Sequence, residues 1–375
     1  MNVVYNSFGG RFSDSPRAIH AALRARGLGT SHVWLADPAH RDGFPADVET
    51  VDVGAPEAVA ALEAADLVVA NTHTELAWRK RADAVYLQTW HGTPLKRIHW
   101  DVLWAPAGRL ERLSRDVALW DYLVSPNPAS TPRLRGAFRF EGEVLETGYP
   151  RNDVLSAPAR DRIRARVRRT LGIGDETTAV LYAPTWRDDV VFADGQDVMR
   201  ADGDPIALDL DVDRFVAALG ASHALLLRLH YTLTGRLAAV AHASVADVSR
   251  HSDIGELYLA ADVLVTDYSS AMFDFAVTGK PIVFLAADLD RYRDSLRGFY
   301  FDLFADAPAP VTVTTDELIR ALGDLEAGAA AHAERYARFR ETFCPFDDGG
   351  ATERLVDRLF EGGELRRPSE ARAAD

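Results

Sequence analysis

The chain has 375 residues, 47% of them hydrophobic and 26% charged, which is enough for about two domains with ordinary cores. Its formal charge of −14 leaves no basic excess to neutralise phosphates, and this speaks against a general nucleic-acid partner. Cys344 is the only cysteine, which excludes an internal disulfide and a thiolate zinc cluster and fits a reducing, cytoplasmic setting.

Apolar runs and helical patterns alternate along the whole chain, the signature of parallel sheets covered by helices. The first residues, Met1 to Asn6, read as a short strand and lack the charged and apolar regions of a signal peptide. A helix is predicted over 15–26, with Pro16 in its first turn and Asp14 or Ser15 as cap. Strands follow near 32–35, 66–71, 84–89, 122–125 and 144–147, with a helix over 56–65. The second half repeats the scheme. A basic helix over 160–171 precedes a strand at 179–183, and an Asp-rich and Gly-rich loop spans 187–205. Strands near 225–229, 263–266 and 281–285 alternate with helices near 213–219, 270–278 and 316–325, and a last helix covers 350–360. No stretch approaches the roughly 20 apolar residues of a membrane span, so membrane contact is expected to be peripheral at most.

This pattern divides the chain into a first Rossmann-like domain over 1–155 and a second over 156–349. The hinge is expected near 151–160, the helix at about 350–362 is expected to pack back on the first domain, and 363–375 is read as a tail.

Short polar motifs close several of the predicted strands, where open α/β sheets bind ligands. Thr266-Asp267-Tyr268-Ser269-Ser270 sits where a strand turns into a helix N-terminus, with Asp274 one turn further on. Free backbone N–H groups and two hydroxyls there suit an anion, although plain helix capping reads the serines equally well. Arg228-Leu229-His230 ends the run Leu225-Leu226-Leu227, where a charge is costly unless paired or facing a cleft; a structural salt bridge and a surface histidine are the plainer alternative. Ala183-Pro184-Thr185-Trp186-Arg187 ends another strand and is weak by itself. His91 follows Thr89-Trp90 and precedes Gly92-Thr93-Pro94, which leaves an imidazole at a sheet edge where it can take a proton at neutral pH.

Two tempting signals are set aside. Asp288-Leu289-Asp290 resembles a metal-holding pair, but it precedes a helix and reads better as a cap. Phe8-Gly9-Gly10-Arg11-Phe12 has too few glycines for a dinucleotide fingerprint. Neither a metal nor a bound cofactor is therefore expected. The basic run Arg160, Arg162, Arg164, Arg166, Arg168, Arg169 reads as a solvated helix face or as an attraction to anionic lipid. Trp100, Trp104 and Trp120, with Lys96, Arg97 and Arg109, are candidates for the same surface.

As an ordered set these motifs resemble the CDP-glycerol glycerophosphotransferase family of teichoic-acid polymerases and primases. The resemblance runs from Ser7 to Ala18, through Trp90 to Lys96, Asp247-Val248-Ser249, Thr266 to Asp274 and Lys280-Pro281, to Arg297-Gly298-Phe299-Tyr300-Phe301. It implies an α/β GT-B fold, two facing Rossmann-like domains with a cleft between them. It also implies transfer of glycerol phosphate, or a related polyol phosphate, from a CDP-linked donor to a hydroxyl of a lipid-linked or polymer acceptor, with CMP released. Carried over by motif, His91 is the general base and His230 contacts the donor phosphates. Gly92, Thr93, Arg151, Pro184, Thr185, Arg228, Ser269, Ser270 and Asp274 fall where the family lines its substrate site. The family often carries a long N-terminal extension or partner domain, and here the catalytic unit is expected to stand alone. The loop at 187–205 is expected to shape the acceptor side. A GT-B glycosyltransferase using a nucleotide sugar and a non-catalytic binding module are the alternatives.

Overall fold

A computed structural model describes residues 1–185, 187, 208–229 and 242–367. The readings of Trp186, the loop after Arg187 up to residue 205, and His230 lie outside the described residues. The chain divides into two compact units, one formed by Met1–His91, Glu111–Asp153 and the chain from Phe346 onward, the other by Gly92–Leu110 and Val154–Pro345.

The first unit carries β1 (Asn2–Asn6), α1 (Asp14–Arg26), β2 (Ser31–Ala36), β3 (Glu49–Asp52), α2 (Pro56–Ala64), β4 (Leu67–Ala70), β5 (Val85–Gln88), α3 (Arg109–Val117, which begins two residues before the unit's second segment), β6 (Tyr122–Ser125), α4 (Thr131–Phe138) and β7 (Glu143–Glu146). Its seven strands are parallel in the order β3-β2-β1-β4-β5-β6-β7. β4 and β5 are buried on both faces, which is why they read as unbroken apolar runs rather than alternating ones. Val3, Tyr5, Leu67, Val69, Val85 and Leu87 share one core with Ile19 and Leu23 of α1. Each such side chain contributes about 1.5–3 kcal/mol by leaving water. The helix Ala351–Leu359 adds Leu355, Val356 and Leu359 to that same core.

The second unit continues with α5 (Arg160–Thr170), β8 (Thr178–Tyr182), α6 (Val212–Leu219), β9 (His223–Leu227), β10 (Val245–Asp247), α7 (Ile254–Ala260), β11 (Val263–Thr266), α8 (Ala271–Ala276), β12 (Ile282–Leu285), β13 (Val311–Thr312), α9 (Thr315–Gly323) and α10 (Leu325–Phe343). Its sheet is parallel in the order β10-β9-β8-β11-β12-β13. Both sheets thus have Rossmann order, as the α/β GT-B class requires. Each reverses direction once, between β1 and β4 and between β8 and β11, and the carboxyl ends of those strands form the crevices where such sheets take ligands.

The segment Gly92–Leu110 groups with the second unit, whereas the sequence pattern placed it in the first domain. Long-range backbone pairing accounts for the difference: Arg97 N donates to Gly298 O at 3.0 Å and Tyr300 N to Leu95 O at 2.8 Å. Two stretches picked out separately in the sequence, around Lys96 and around Phe299, are therefore antiparallel partners.

The basic helix α5 is largely committed inside its own unit. Arg164 and Arg168 both reach the carboxylate of Asp262 and the last carbonyls of α7, and Arg166 pairs with Glu256. Lys280 donates to Tyr258 O, Leu259 O and Ala261 O at the same helix end. Unsatisfied carbonyls and the negative end of the helix dipole draw these cations inward. Trp120 is also removed from any surface role, because it is buried and donates to Asp116. Arg160, Arg162 and Arg169 stay exposed, as do Leu103 and Trp104. Among the described residues no helix is long and apolar enough to cross a membrane.

Candidate active site

In the first unit β5 ends at Gln88 and the chain turns sharply, with Trp90 in a left-handed conformation at φ 54°. The buried Gln88 side chain holds that turn: Oε1 accepts from Trp90 N at 2.9 Å and Nε2 donates to Thr72 O at 3.0 Å. His91 follows, its Nδ1 2.6 Å from the backbone carbonyl of Asn71. A carbonyl can only accept, so Nδ1 carries the proton and Nε2 keeps its lone pair. Burial pushes the imidazole down from 6.5 toward about 4, against the Asn71 hydrogen bond and the Asp14 charge that pull it up. At neutral pH the ring is thus a neutral base in a fixed tautomer.

Asp14 was read as a helix cap, and the structure gives it different work. Ser13 is the cap position of α1, and the Asp14 carboxylate pairs with Arg151 at 3.0 Å, both side chains less than a tenth exposed. Arg151 lies in the turn Pro150–Asn152 with its guanidinium 4.6 Å from the Tyr149 ring centre. Arg151 and His91 therefore share one electrostatic neighbourhood in the first unit, to which the charges of both Asp14 and Arg151 reach.

The remaining described candidates lie in the second unit; apart from Gly92 and Thr93, they follow β8, β9 and β11. Asp267, almost fully buried, accepts from Thr185 N at 2.8 Å and from Arg187 at 2.9 Å, so it ties the ends of β8 and β11 together. Arg187 also bonds Asp288 through two nitrogens at 2.9 and 2.8 Å and lies over the rings of Tyr268 and Tyr292. Burial alone would lower its pKa, but Asp267 and Asp288 outweigh that and raise it. The cap reading of Asp288 is thereby corrected: its carboxylate makes no cap and serves Arg187 and the Tyr268 hydroxyl instead. Asp290 pairs with Arg293. Among the described residues no three His, Cys, Asp or Glu side chains gather in a way that could hold a metal ion.

Pro184 and Thr185 follow β8 after a single intervening residue, Ala183, and the buried Thr185 Oγ1 has no hydrogen-bond partner among the described residues. Ser269 Oγ accepts from Ala271 N at 3.3 Å, whereas Ser270, the cap position of α8, makes no side-chain cap. Asp274 is buried within α8. Gly92 lies against Ser270, and Thr93 is buried beside it in the chain. Arg228 donates to the carbonyls of Val248, Ser249 and His251 at 2.8, 2.8 and 2.6 Å. Backbone carbonyl oxygens thus anchor its guanidinium at the end of β9. Ser249 completes the strand end by accepting from Leu229 N at 3.0 Å.

Sequence reasoning passed over Asn71, Gln88, Asp267 and Arg187 as site builders. The signal was there in part, since each is a polar residue at or just past the end of an apolar run.

The profile of the CDP-Glycerol:Poly(glycerophosphate) glycerophosphotransferase family matches residues 1–361. The chain belongs to this family. It is 35% identical over 369 residues to a teichoic acid poly(glycerol phosphate) polymerase of Staphylococcus epidermidis, covering 96% of this chain and 50% of that protein. It is also 35% identical over 377 residues to a teichoic acid glycerol-phosphate transferase of Staphylococcus aureus, covering 96% of this chain and 93% of that one. A structure of the wall teichoic acid polymerase TagF with CDPG superposes with a TM-score of 0.84 at 34% identity, over 95% of this chain and 88% of that chain. This family member spans about half the length of the S. epidermidis polymerase.

Proposed function

We propose that this chain transfers glycerol phosphate from CDP-glycerol to a hydroxyl of a lipid-linked or polymer acceptor in the synthesis of a teichoic-acid-like polymer. The acceptor oxygen attacks the β-phosphorus in line, the bond from that phosphorus to the bridging oxygen breaks, and CMP leaves with the electron pair. The hydroxyl proton passes to His91 Nε2. The observation that carries this reading is the hydrogen bond from His91 Nδ1 to Asn71 O, which leaves Nε2 as the acceptor. Asp14 lies close enough for its charge to stabilise the imidazolium that forms.

On the donor side, the unpartnered Thr185 hydroxyl and the Ser269-Ser270 turn supply donors for the phosphates, and His230 is assigned to them by motif. Peripheral contact with an anionic membrane belongs to the same reading. Its support is the exposed Arg160, Arg162 and Arg169 on α5 and the exposed Leu103 and Trp104.

The test is incubation of CDP-glycerol, CDP-ribitol and UDP-glucose with a lipid-linked glycerol-phosphate acceptor, followed by product analysis. CMP release with phosphodiester formation from CDP-glycerol is the expected result. Release of a nucleoside diphosphate would make the protein a glycosyltransferase, and donor binding without turnover would make it a binding module. His91→Ala should lower turnover about 10²–10⁴-fold while donor affinity holds. Flotation with anionic liposomes checks the membrane contact.

A further inference from the structure

Among the described residues, five that are not glycine hold a left-handed backbone: Phe8, Asp14, Trp90, His99 and Arg139. Phe8 and Trp90 are bulky, and a bulky side chain at positive φ is a true outlier that persists only when its surroundings hold it. Both have a ring against His91. The Trp90 ring centre is 4.2 Å from that of the imidazole at 31°, and the Phe8 ring centre is 5.4 Å away at 58°. A third member of the five, Asp14, acts on His91 through its charge.

Each strained turn is held by a buried amide side chain. Asn71 Oδ1 accepts from Phe8 N at 2.9 Å while Asn71 Nδ2 donates to Ser7 Oγ at 3.2 Å. Gln88 holds Trp90 in the same way. Behind Trp90 stand Phe138 at 4.6 Å and His73 at 5.9 Å, and His73 is itself stacked on Trp120. The backbone of Asn71 meanwhile fixes the imidazole tautomer, so one residue sets both the ring's proton and one of its aromatic neighbours.

We infer that Phe8 and Trp90 are positioning residues whose rings both pack on the His91 imidazole and clamp it, with Asn71 and Gln88 holding the strained backbone that aims them. The inference rests on the reading of His91 as base but concerns different residues. Glycine would sit at either position without strain, and the retained aromatic rings are what glycine cannot supply. The clamp keeps Nε2 pointed at one place and limits water around the ring. Loss of a near-attack geometry costs rate rather than donor affinity.

The experiment compares Trp90→Gly, Trp90→Phe and Phe8→Gly with the wild type in the full chain. The first readouts are kcat, KM for CDP-glycerol and the pH dependence of kcat/KM. The second is an NMR titration of labelled histidines in the free protein, with the His91 signal assigned from His91→Gln. Trp90→Gly and Phe8→Gly should fold with native circular dichroism and lower kcat about 10–100-fold with KM within about twofold. Their acid limb and the NMR midpoint of His91 should move up toward the free imidazole value, about 6.5. Trp90→Phe should restore most of the rate. Wild-type kcat, pH limb and NMR midpoint in the glycine variants would overturn the clamp. If His91→Ala kept its turnover, the assignment of the base would fall instead, and the NMR midpoints would still decide whether the rings hold the imidazole.

Discussion

Gly92 is the position where one methyl group tests the donor-side geometry most directly. A Cβ placed there would lie 2.5 Å from Ser270 Oγ and 2.8 Å from Ser270 Cβ. Carbon atoms settle at roughly 3.5–4.0 Å, so Gly92→Ala must drive the two apart by about 1 Å. Ser270 can rotate its hydroxyl away but cannot rotate its Cβ, so the turn from β11 into α8 has to move. Overpacking of this kind costs about 1–3 kcal/mol, and a shift of about 1 Å costs on the order of 10² in rate. The assay is a double-mutant cycle with Ser270→Gly, read by urea unfolding and by CMP release. Ser270→Gly alone should cost only a few tenths of a kcal/mol as a cap, because glycine is tolerated there. Adding it to Gly92→Ala removes the clashing atoms and should recover most of the stability, a coupling of about 1 kcal/mol or more. Turnover should stay low in the double variant, since the hydroxyl is gone. Single effects that add to within about 0.5 kcal/mol would refute the contact.

Two further outcomes follow from buried features away from the reacting groups. Asp262→Ala strips a carboxylate from Arg164, Arg168 and the Ala179 amide and leaves the buried Arg168 with backbone carbonyls but without that counter-charge, which should cost about 2–3 kcal/mol in urea unfolding at pH 7. Burial raises the Asp262 carboxyl, but the Ala179 amide and the two arginines hold it below its usual range. Its contribution is therefore present above the unfolded value of about 3.9 and fades as pH falls through the lower folded value, so the gap between wild type and variant should close in acid. Gly10→Ala should cost about 3 kcal/mol or more in the same unfolding measurement, because Gly10 has φ 123° and its Cβ would sit 2.2 Å from the backbone nitrogen of Asp37. A variant within about 1 kcal/mol of wild type would show that this turn can relax.

The fold was legible because parallel strands buried on both faces read as plain apolar runs, and β4, β5, β6, β11 and β12 were all visible for that reason. β3 was not, since its residues are half-exposed and form no apolar run. α10 was missed as well: it is rich in alanine and buries only Phe339 and Phe343, so no stripe marks it. The pairing of Lys96 with Phe299 joins residues 203 positions apart, and local patterning holds no trace of it. The motif residues themselves were legible as chemistry at strand ends. Their supports were hidden because Asn71, Gln88 and Asp267 act through hydrogen bonds to loops distant in sequence.

Those supports follow one plan in both sheets. Asn71 is the first residue after β4, and Asp267 is the first residue after β11, the strand with the same place in the Rossmann order. Each is buried, and each side-chain Oδ1 accepts from a backbone N–H in the loop after the neighbouring first strand, Phe8 after β1 at 2.9 Å and Thr185 after β8 at 2.8 Å. The reversal of strand order opens a crevice at this point, and a single side chain spans its two walls. The difference between the two residues follows from what surrounds them. Asp267 can carry its charge because Arg187 answers it at 2.9 Å. Among the described residues no such cation bonds the Asn71 side chain, which must also donate to Ser7 Oγ, as a carboxylate could not. A charge at that point would also favour the imidazolium of His91, whose Nδ1 bonds the Asn71 backbone, and so enlarge the share of rings already protonated before a hydroxyl arrives. The amide meets the same architectural need while leaving the histidine uncharged.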